Sequence, residues 1–332
     1  MHDRISIGIV NFNGGPCLRK CVLSALPQAR VYVYDNASTD QSLETIADLD
    51  RVIVIRGTEN RGYAFACNRL IESMNSEFVA VANMDLEFDP AWTEQICSAF
   101  TACQDADAVA SIVLEQGDPV TVNFAGMGFL PDLHSQSIYA GADPASVPAT
   151  PAIIFGAYGA AMAFRKSLFP AIGFFDEDYF LFYEEAEFFW RMNLYGRKTI
   201  YWPAARVLHY RSLTTRRFSP LKLFYTERNR IYTGLKILPW YRYPGLFLWS
   251  VYRLIRMRRV ADASQKKKMR ESGASPVRVV LTIATAWLAA LGKFPLIMKK
   301  RRELWTHSGS SPRTTIDILN RYRIPWKSLS LK

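Results

Sequence analysis

Apolar residues recur along the first hundred positions in short runs, each closed by polar or turn-forming residues. Ile5-Ser-Ile-Gly-Ile-Val-Asn11 is nearly continuous in apolar character, as in a strand buried on both faces of a parallel sheet. Phe12-Asn-Gly-Gly-Pro16 reads as a turn, and Pro16 suits the first position of a helix running to about Leu26. Val31–Asp35 is a second strand, and Ser38 with Gln41 predicts a capping box for a helix after it. Val52–Ile55 is a third strand, leading through Asn60-Arg-Gly-Tyr63 to a helix ending near Met74. Phe78–Ala82 is a fourth, ending in Asn83-Met-Asp85; Pro90 opens another helix, and Ala108–Val113 is a fifth strand. Strand and helix alternate with short loops, which predicts an α/β fold with a mostly parallel sheet flanked by helices. Ligands of such sheets bind beyond the carboxyl ends of the strands. Asp35, Asn60 and Asp85 all fall just past strand ends, so they converge on one rim.

The pattern then changes. Val120–Ile154 is irregular and rich in Gly and Pro, and predicts short antiparallel strands and loops. Phe155–Phe164 is apolar with small residues, a strand with close backbone approach. Phe180-Leu-Phe-Tyr-Glu-Glu-Ala-Glu-Phe-Phe-Trp-Arg191 places Glu184, Glu185 and Glu187 in a mostly aromatic run. Its spacing predicts a helix from about Tyr183, with Glu184 and Glu187 on one face and Glu185 on another. Carboxylates beside such a surface are costly unless they are used or paired. The structural alternative is a helix N-terminus whose acids favour the positive end of the dipole. Lys198–Tyr201 and Arg206–His209 read as two further strands. Leu221–Leu238 and Tyr243–Met257 read as long helices, aromatic on one side and basic on the other. Ala261–Pro276 is a Lys-rich linker, and Val277–Met298 is a mainly apolar segment closed by Lys299-Lys-Arg-Arg302. The tail to Lys332 shows no strong pattern.

Charge divides the chain where the pattern does. Arg216–Arg302 holds 21 Lys and Arg against three acids, a charge of +18; the whole chain carries +11, which leaves −7 elsewhere. The expected domains are therefore residues 1–217, a mildly acidic body, and 218–332, a basic helical region suited to an anionic surface. At 332 residues and 49% apolar the chain can bury a sizeable core. Five cysteines, all within the first third, do not form a disulfide framework, and the N-terminus lacks a signal-peptide pattern. A reducing cytoplasmic setting is expected.

No Gly-x-Gly-x-x-Gly follows the first strand and no Walker lysine loop is present, which disfavours a dinucleotide-binding dehydrogenase. Asn83-Met-Asp85 carries hard oxygen ligands suited to Mg²⁺ or Mn²⁺, with His209 at a later strand end able to complete the shell. The alternative for Asp85 is a turn cap, and for His209 a structural role. Asp35 lies where a carboxylate could accept from a pyrimidine imide N–H; its alternative is an Asx turn.

In this order the motifs Ile7–Asn11, Val33–Asp40, Asn60–Asn68, Asn83–Asp85, Phe180–Arg191 and Val207–His209 resemble the family 2 inverting glycosyltransferases of the GT-A fold. The resemblance is greatest to the bacterial rhamnosyltransferase-like group and covers roughly residues 5–235. It implies a donor site formed by Asn11, Asp35, Asn36, Asn60, Gly62, Asn83 and Asp85, with Asp35 at the nucleotide base. It implies a divalent metal, Mg²⁺ or Mn²⁺, held by Asp85 and His209. Glu185 stands where the family's usual Glu-Asp motif has its basic Asp, with Glu184 the fallback, and Glu187 matches a further acid expected at the acceptor. The activity implied is transfer of a sugar, with rhamnose favoured, from a nucleoside-diphosphate sugar to a glycan or polyprenyl-linked acceptor in cell-surface polysaccharide synthesis. A carboxylate base and one in-line displacement give inversion, unlike the paired carboxylates of retaining hydrolases. The competing readings are a nucleotidyltransferase and a non-catalytic membrane-bound scaffold. No nucleic-acid-binding module is visible, so the basic third points to the cytoplasmic face of a bacterial inner membrane. Val277–Met298 is expected to lie in the interface.

Overall fold

The structure is a computed structural model and describes residues 4–117, 119–210, 219–260 and 275–325. The chain divides into two compact units: Met1–Met127 with Ser137–Met192 and Gly196–Thr214, and Gly128–Gln136 with Asn193–Tyr195 and Thr215–Lys332.

The first unit is built on one mixed sheet. Its early strands are β1 (Ile5–Asn11), β2 (Arg30–Asp35), β3 (Val52–Arg56), β4 (Phe78–Asn83), β5 (Leu86–Phe88), β6 (Ala106–Glu115) and β7 (Thr121–Phe124). β1 lies between β2 and β4, parallel to both, and β3 extends the parallel set beyond β2. Every residue of β1 is buried, as its unbroken apolar run requires. A return strand, Ala161–Arg165, runs antiparallel between β4 and β6, and a long strand, Lys198–His209, lies parallel to β6. The predicted α/β sheet, mostly parallel and flanked by helices, is thus the observed one.

The helices follow from apolar spacing. α1 (Gly15–Ala25) buries Leu18, Cys21, Val22 and Ala25, and α3 (Trp92–Ala102) buries Trp92, Ile96 and Phe100. Both pack with Ile5, Ile7, Ile9, Val31 and Val33 into one core. α2 (Tyr63–Ser73) presses Leu70 on Gly8, where a Cβ would lie 3.0 Å from the Leu70 Cβ. The acidic helix Glu184–Leu194 is clamped by aromatic rings: Phe188 stacks on Phe175 at 4.4 Å and meets Phe164 edge-on at 5.4 Å. Full burial of each such ring contributes about 1.5–3 kcal/mol, so the helix is fixed in place by its own apolar residues.

Several expectations are corrected. No helix follows Ser38; its hydroxyl donates to Asp35 Oδ1 at 2.6 Å, and only a 3₁₀ turn forms at Glu44–Ile46. Local side-chain bonding here replaces a cap. The two strands expected at 198–209 are one strand, bulged between Trp202 and Arg206. Of the strand expected at Phe155–Phe164, only Ala161 onward pairs, which leaves 156–160 as a loop beside the acidic helix.

The second unit is helical: Pro220–Ile237, Tyr243–Val260, Pro276–Gly292, Phe294–Ser308 and Pro312–Arg321. The first two are tied by buried charges. Arg253 Nε donates to Asp132 at 2.7 Å, Arg230 Nη2 donates to Glu227 at 2.7 Å, and Arg253 also pairs with Glu227. Burial alone would raise both carboxyl pKa values, but the two guanidinium groups outweigh it and hold them below the usual range. The expected apolar segment Val277–Met298 breaks at Lys293, just before Pro295, into two helices bent by 62°. No single helix among the described residues is long and apolar enough to cross a membrane; only that bent pair meets the length and composition. Pro312–Arg321, where no pattern was expected, is a helix started by a Ser311–Thr314 capping box. Most of the expected linker at 261–276 lies outside the described residues.

Candidate active site

Register brings the rim together. Asn11 ends β1 opposite Asp35 at the end of β2, and Val10 lies opposite Asn83 at the end of β4. Asn11 Nδ2 donates to Asp35 Oδ1 at 2.7 Å and to the Ser42 hydroxyl at 2.9 Å. Asp35 Oδ2 accepts the Ser38 N–H at 3.1 Å, so the Asx turn is present. Asp35 is buried, which sets a rigid acceptor group at the strand end.

The next loop is locked to it. Asn36 Nδ2 donates to Asn60 Oδ1 at 2.9 Å and Gly62 O at 3.2 Å, while Asn36 Oδ1 accepts the Arg61 N–H at 3.1 Å. Gly62 has φ +89°, and a Cβ there would run into the Phe180 backbone. Tyr63 N–H donates to Phe180 O at 2.6 Å, and its hydroxyl donates to Gly159 O at 2.5 Å. The loop carrying Asn60 is thereby bolted to the chain entering the acidic helix. That chain holds three non-glycine residues at positive φ, Phe180 (62°), Phe182 (62°) and Tyr183 (74°). Such conformations cost about 1–3 kcal/mol each and cluster at functional sites.

In the acidic helix the three carboxylates have three environments. Glu184 is 4% exposed, and its Oε2 has no hydrogen-bond partner among the described residues. Burial, then the neighbouring Glu185 charge, pushes its carboxyl well above the usual range. Glu185 is only partly buried and faces Gly159, where a Cβ would lie 3.9 Å from its carboxyl carbon. Glu187, expected at the acceptor, is wholly buried, and Arg191 Nε donates to both its oxygens at 2.9 and 3.0 Å. Its carboxylate is engaged inside the fold because the helix turns it toward Arg191 at i+4.

The last corner lies beyond β4. Asn83 N–H donates to Ala160 O, next to Gly159, at 3.0 Å. Asp85 follows in the turn before β5, and β5 pairs with the end of the long strand, Leu86 opposite His209. His209 Nε2 then stands 3.2 Å from Asp85 Oδ2. The two do not align as a hydrogen bond: Nε2 and Asp85 Oδ1 are buried atoms with no partner among the described residues. Among those residues no group of three His, Cys, Asp or Glu side chains could hold a metal. A hard divalent cation that keeps waters and takes substrate oxygens needs only one or two protein donors, so this pair fits one.

The rim, the Asn60 loop, the acidic helix and the Asp85–His209 corner thus belong to one constellation in the first unit. Tyr63, Gly159 and Asn123 (which touches His209) were not among the expected residues. Tyr63 lay inside the Asn60–Asn68 motif without a role, and the contacts of Gly159 and Asn123 depend on loop and strand geometry that no motif marks.

This mostly parallel sheet flanked by helices is of the GT-A type. The chain belongs to glycosyl transferase family 2, whose profile matches residues 6–179. It is similar to an N-acetylglucosaminyl-diphospho-decaprenol L-rhamnosyltransferase of Mycobacterium tuberculosis, 25% identical over 246 residues, 65% of this chain and 79% of that one. It is also similar to the low-salt glycan biosynthesis hexosyltransferase Agl10 of Haloferax volcanii, 27% identical over 202 residues, 58% of this chain and 62% of that one. Among solved structures, GalNAc-T7 with UDP, GalNAc and Mn²⁺ shares the fold at TM-score 0.59 and 16% identity, over 81% of this chain and 54% of that one. A Pyrobaculum calidifontis mannosyltransferase with GDP-Man and Mn²⁺ shares it at TM-score 0.50 and 14% identity, over 88% and 86%.

Proposed function

We propose that the chain is an inverting glycosyltransferase that moves a hexose, with rhamnose favoured, from a nucleoside-diphosphate sugar to a hydroxyl of a lipid-linked glycan. The observation that carries this reading is that two buried atoms, Asp85 Oδ1 and His209 Nε2, make no hydrogen bond among the described residues and share one GT-A rim with a partly buried carboxylate, Glu185. Asp35, rigidly held by Asn11 and Ser38, receives the base, and the Asn36–Asn60–Gly62 loop walls the nucleoside. Asp85 and His209 would hold Mg²⁺ or Mn²⁺, with Asn83 beside them; bound there, the cation supplies charge neutralisation for the departing diphosphate. Glu185 accepts the acceptor hydroxyl proton as that oxygen forms its bond to the anomeric carbon and the bond to the diphosphate oxygen breaks. Attack from one face, with no covalent sugar–enzyme link, inverts the anomeric centre. Burial, then the neighbouring Glu185 charge, pushes the Glu184 carboxyl up, which favours its neutral form beside the base.

The acceptor is read as polyprenyl-diphosphate-linked, the class named for the mycobacterial relative. Residues 1–217 form the catalytic domain in this reading, and the basic helices of 218–332 place it on the cytoplasmic face of a membrane. Family membership sets aside the nucleotidyltransferase alternative.

The test is a panel of nucleoside-diphosphate sugars with a polyprenyl-diphospho-N-acetylglucosamine acceptor, with Mn²⁺ or EDTA, and NMR of the product's anomeric configuration. One donor should turn over only with metal and give inversion. Calorimetry of Asp85→Ala should show loss of Mn²⁺-dependent nucleoside-diphosphate binding. A retained configuration, metal-independent turnover or wild-type binding by Asp85→Ala rejects the mechanism.

A further inference from the structure

A β-bulge lies beside the Asp85–His209 corner. β6 and β7 pair antiparallel with Leu114 opposite Val122 but Val113 opposite Phe124. Asn123, between them, is the extra residue with no opposite number. Bulges re-aim a side chain and gather beside active sites. Here the Asn123 side chain reaches two residues at once. Its Nδ2 donates to Glu115 Oε2 at 3.2 Å, and its Oδ1 lies 3.0 Å from His209 Nδ1. Ser137 fixes the bulge by donating its hydroxyl to the Asn123 carbonyl at 2.9 Å.

Donor and acceptor chemistry then sets the histidine. An ionised carboxylate only accepts, so the amide nitrogen of Asn123 must face Glu115 and its oxygen must face His209. An amide oxygen only accepts, so His209 Nδ1 must carry the hydrogen. In the neutral ring Nε2 is then a bare lone pair, 3.2 Å from the carboxylate of Asp85. Two acceptors held this close repel each other unless a metal cation lies beside them or the ring takes a second proton.

We propose that Asn123, oriented by Glu115, is a positioning residue that fixes His209 as its Nδ1–H tautomer and so presents Nε2 to the divalent cation shared with Asp85. The inference rests on the reading of Asp85 and His209 as that cation's protein donors. Groups that orient a metal-binding histidine through its second nitrogen typically change metal affinity about 10- to 100-fold when removed.

Two readouts test it on the full-length protein without substrate. The first is ¹H–¹⁵N NMR of the ring nitrogens at about pH 8, above the ordinary imidazole range, with His209→Ala assigning the signal. The metal-free wild type should show the Nδ1–H tautomer; an Nε2–H ring overturns the proposal with no further variant. The second is Mn²⁺ affinity by electron paramagnetic resonance. Asn123→Ala should weaken it about 10- to 100-fold and shift His209 toward Nε2–H, while Asn123→Asp, an acceptor, should restore the Nδ1–H ring. A merely structural role would lower the unfolding midpoint and leave ring signals and Mn²⁺ affinity alone. Unchanged tautomer with affinity within about twofold of wild type overturns the positioning role. If His209→Ala itself leaves Mn²⁺ affinity intact, the underlying site reading fails as well; if it weakens binding and Asn123→Ala does not, only the positioning role fails.

Discussion

Glu184 and Glu185 are adjacent in the chain but lie in different media. Glu184 is enclosed, while Glu185 opens toward the Gly159 backbone. A base must reach the proton it removes, which in the proposed mechanism favours the partly exposed Glu185. Glu185→Gln should lower kcat about 10²–10⁴-fold with donor affinity retained, and Glu184→Gln should lose far less. Steady-state kinetics with calorimetric donor binding checks both; a dead Glu184→Gln beside an active Glu185→Gln would move the assignment by one residue.

Glu184 also predicts a pH dependence of stability. Its folded carboxyl titrates well above the ordinary value of 4.5. Between 4.5 and the folded value, the folded chain keeps a proton that the unfolded chain has released. Stability must therefore fall as pH rises across that window. Glu184→Gln removes this dependence, so its urea midpoint should gain on the wild type as pH rises above 4.5. A gap that stays constant or narrows over that range contradicts the buried, proton-holding carboxyl.

The same helix gives a stability prediction at Glu187. Arg191 bonds Glu187 from one side and the carbonyls of Ile172 and Phe174 from the other, each at 2.7 Å. Glu187→Ala leaves a buried guanidinium without its counter-charge, a loss of about 3–5 kcal/mol. Urea unfolding should show that loss with the acceptor KM of the remaining folded enzyme unchanged. Wild-type stability with a raised acceptor KM would return Glu187 to the acceptor site.

What the sequence could reveal followed from local chemistry. The buried run Ile5–Asn11 had one sensible place in a parallel sheet, and Asp35 and Asp85 followed strand ends, so the rim was legible. The Asp85–His209 approach was suggested by ligand chemistry and by resemblance but not by spacing, since nothing local joins positions 124 apart. Asn123 was invisible because its role comes from a bulge, a property of two strands in register. Ser38 misled because a hydroxyl that fits a cap fits an aspartate equally well. The break at Lys293 was half legible: Pro295 marked a disruption, but the bend depends on packing on each side.

Gly62 joins the Asn60 loop to the chain entering the acidic helix, and its φ of +89° lies where L side chains are strained. Gly62→Ala must both bear that strain, about 1–3 kcal/mol, and displace the Phe180 backbone. It should weaken donor binding and kcat together, because both sides of the contact move. Kinetics showing only a stability loss, with both constants intact, would uncouple the loop from the helix.

The helices of the second unit carry the last prediction. Tyr243–Val260 turns Leu246, Ser250 and Arg253 inward and leaves Leu248, Val251, Tyr252 and Ile255 exposed, a spacing that makes one outward apolar stripe. Pro276–Gly292 repeats the arrangement, with Ile283, Ala286 and Ala290 inward and Val277, Val280, Leu281, Leu288 and Leu291 outward. Leu248 is 70% exposed, Val277 69% and Leu288 68%, and Trp240 stands out at 77%. Arg242, Arg278, Lys299 and Arg302 are exposed cations on the same unit. Apolar stripes with aromatic residues and cations suit helices lying in the interface of an anionic membrane. Each basic residue near such a surface contributes about 1 kcal/mol. The full-length protein should float with liposomes containing anionic lipid, less so at high salt. Leu248→Glu and Leu288→Glu should each weaken partitioning about tenfold or more, the equivalent of one buried leucine, with donor turnover unchanged. If the wild type never floats at low salt, or if both variants float like the wild type, these stripes do not meet a membrane and a soluble acceptor replaces the lipid-linked one.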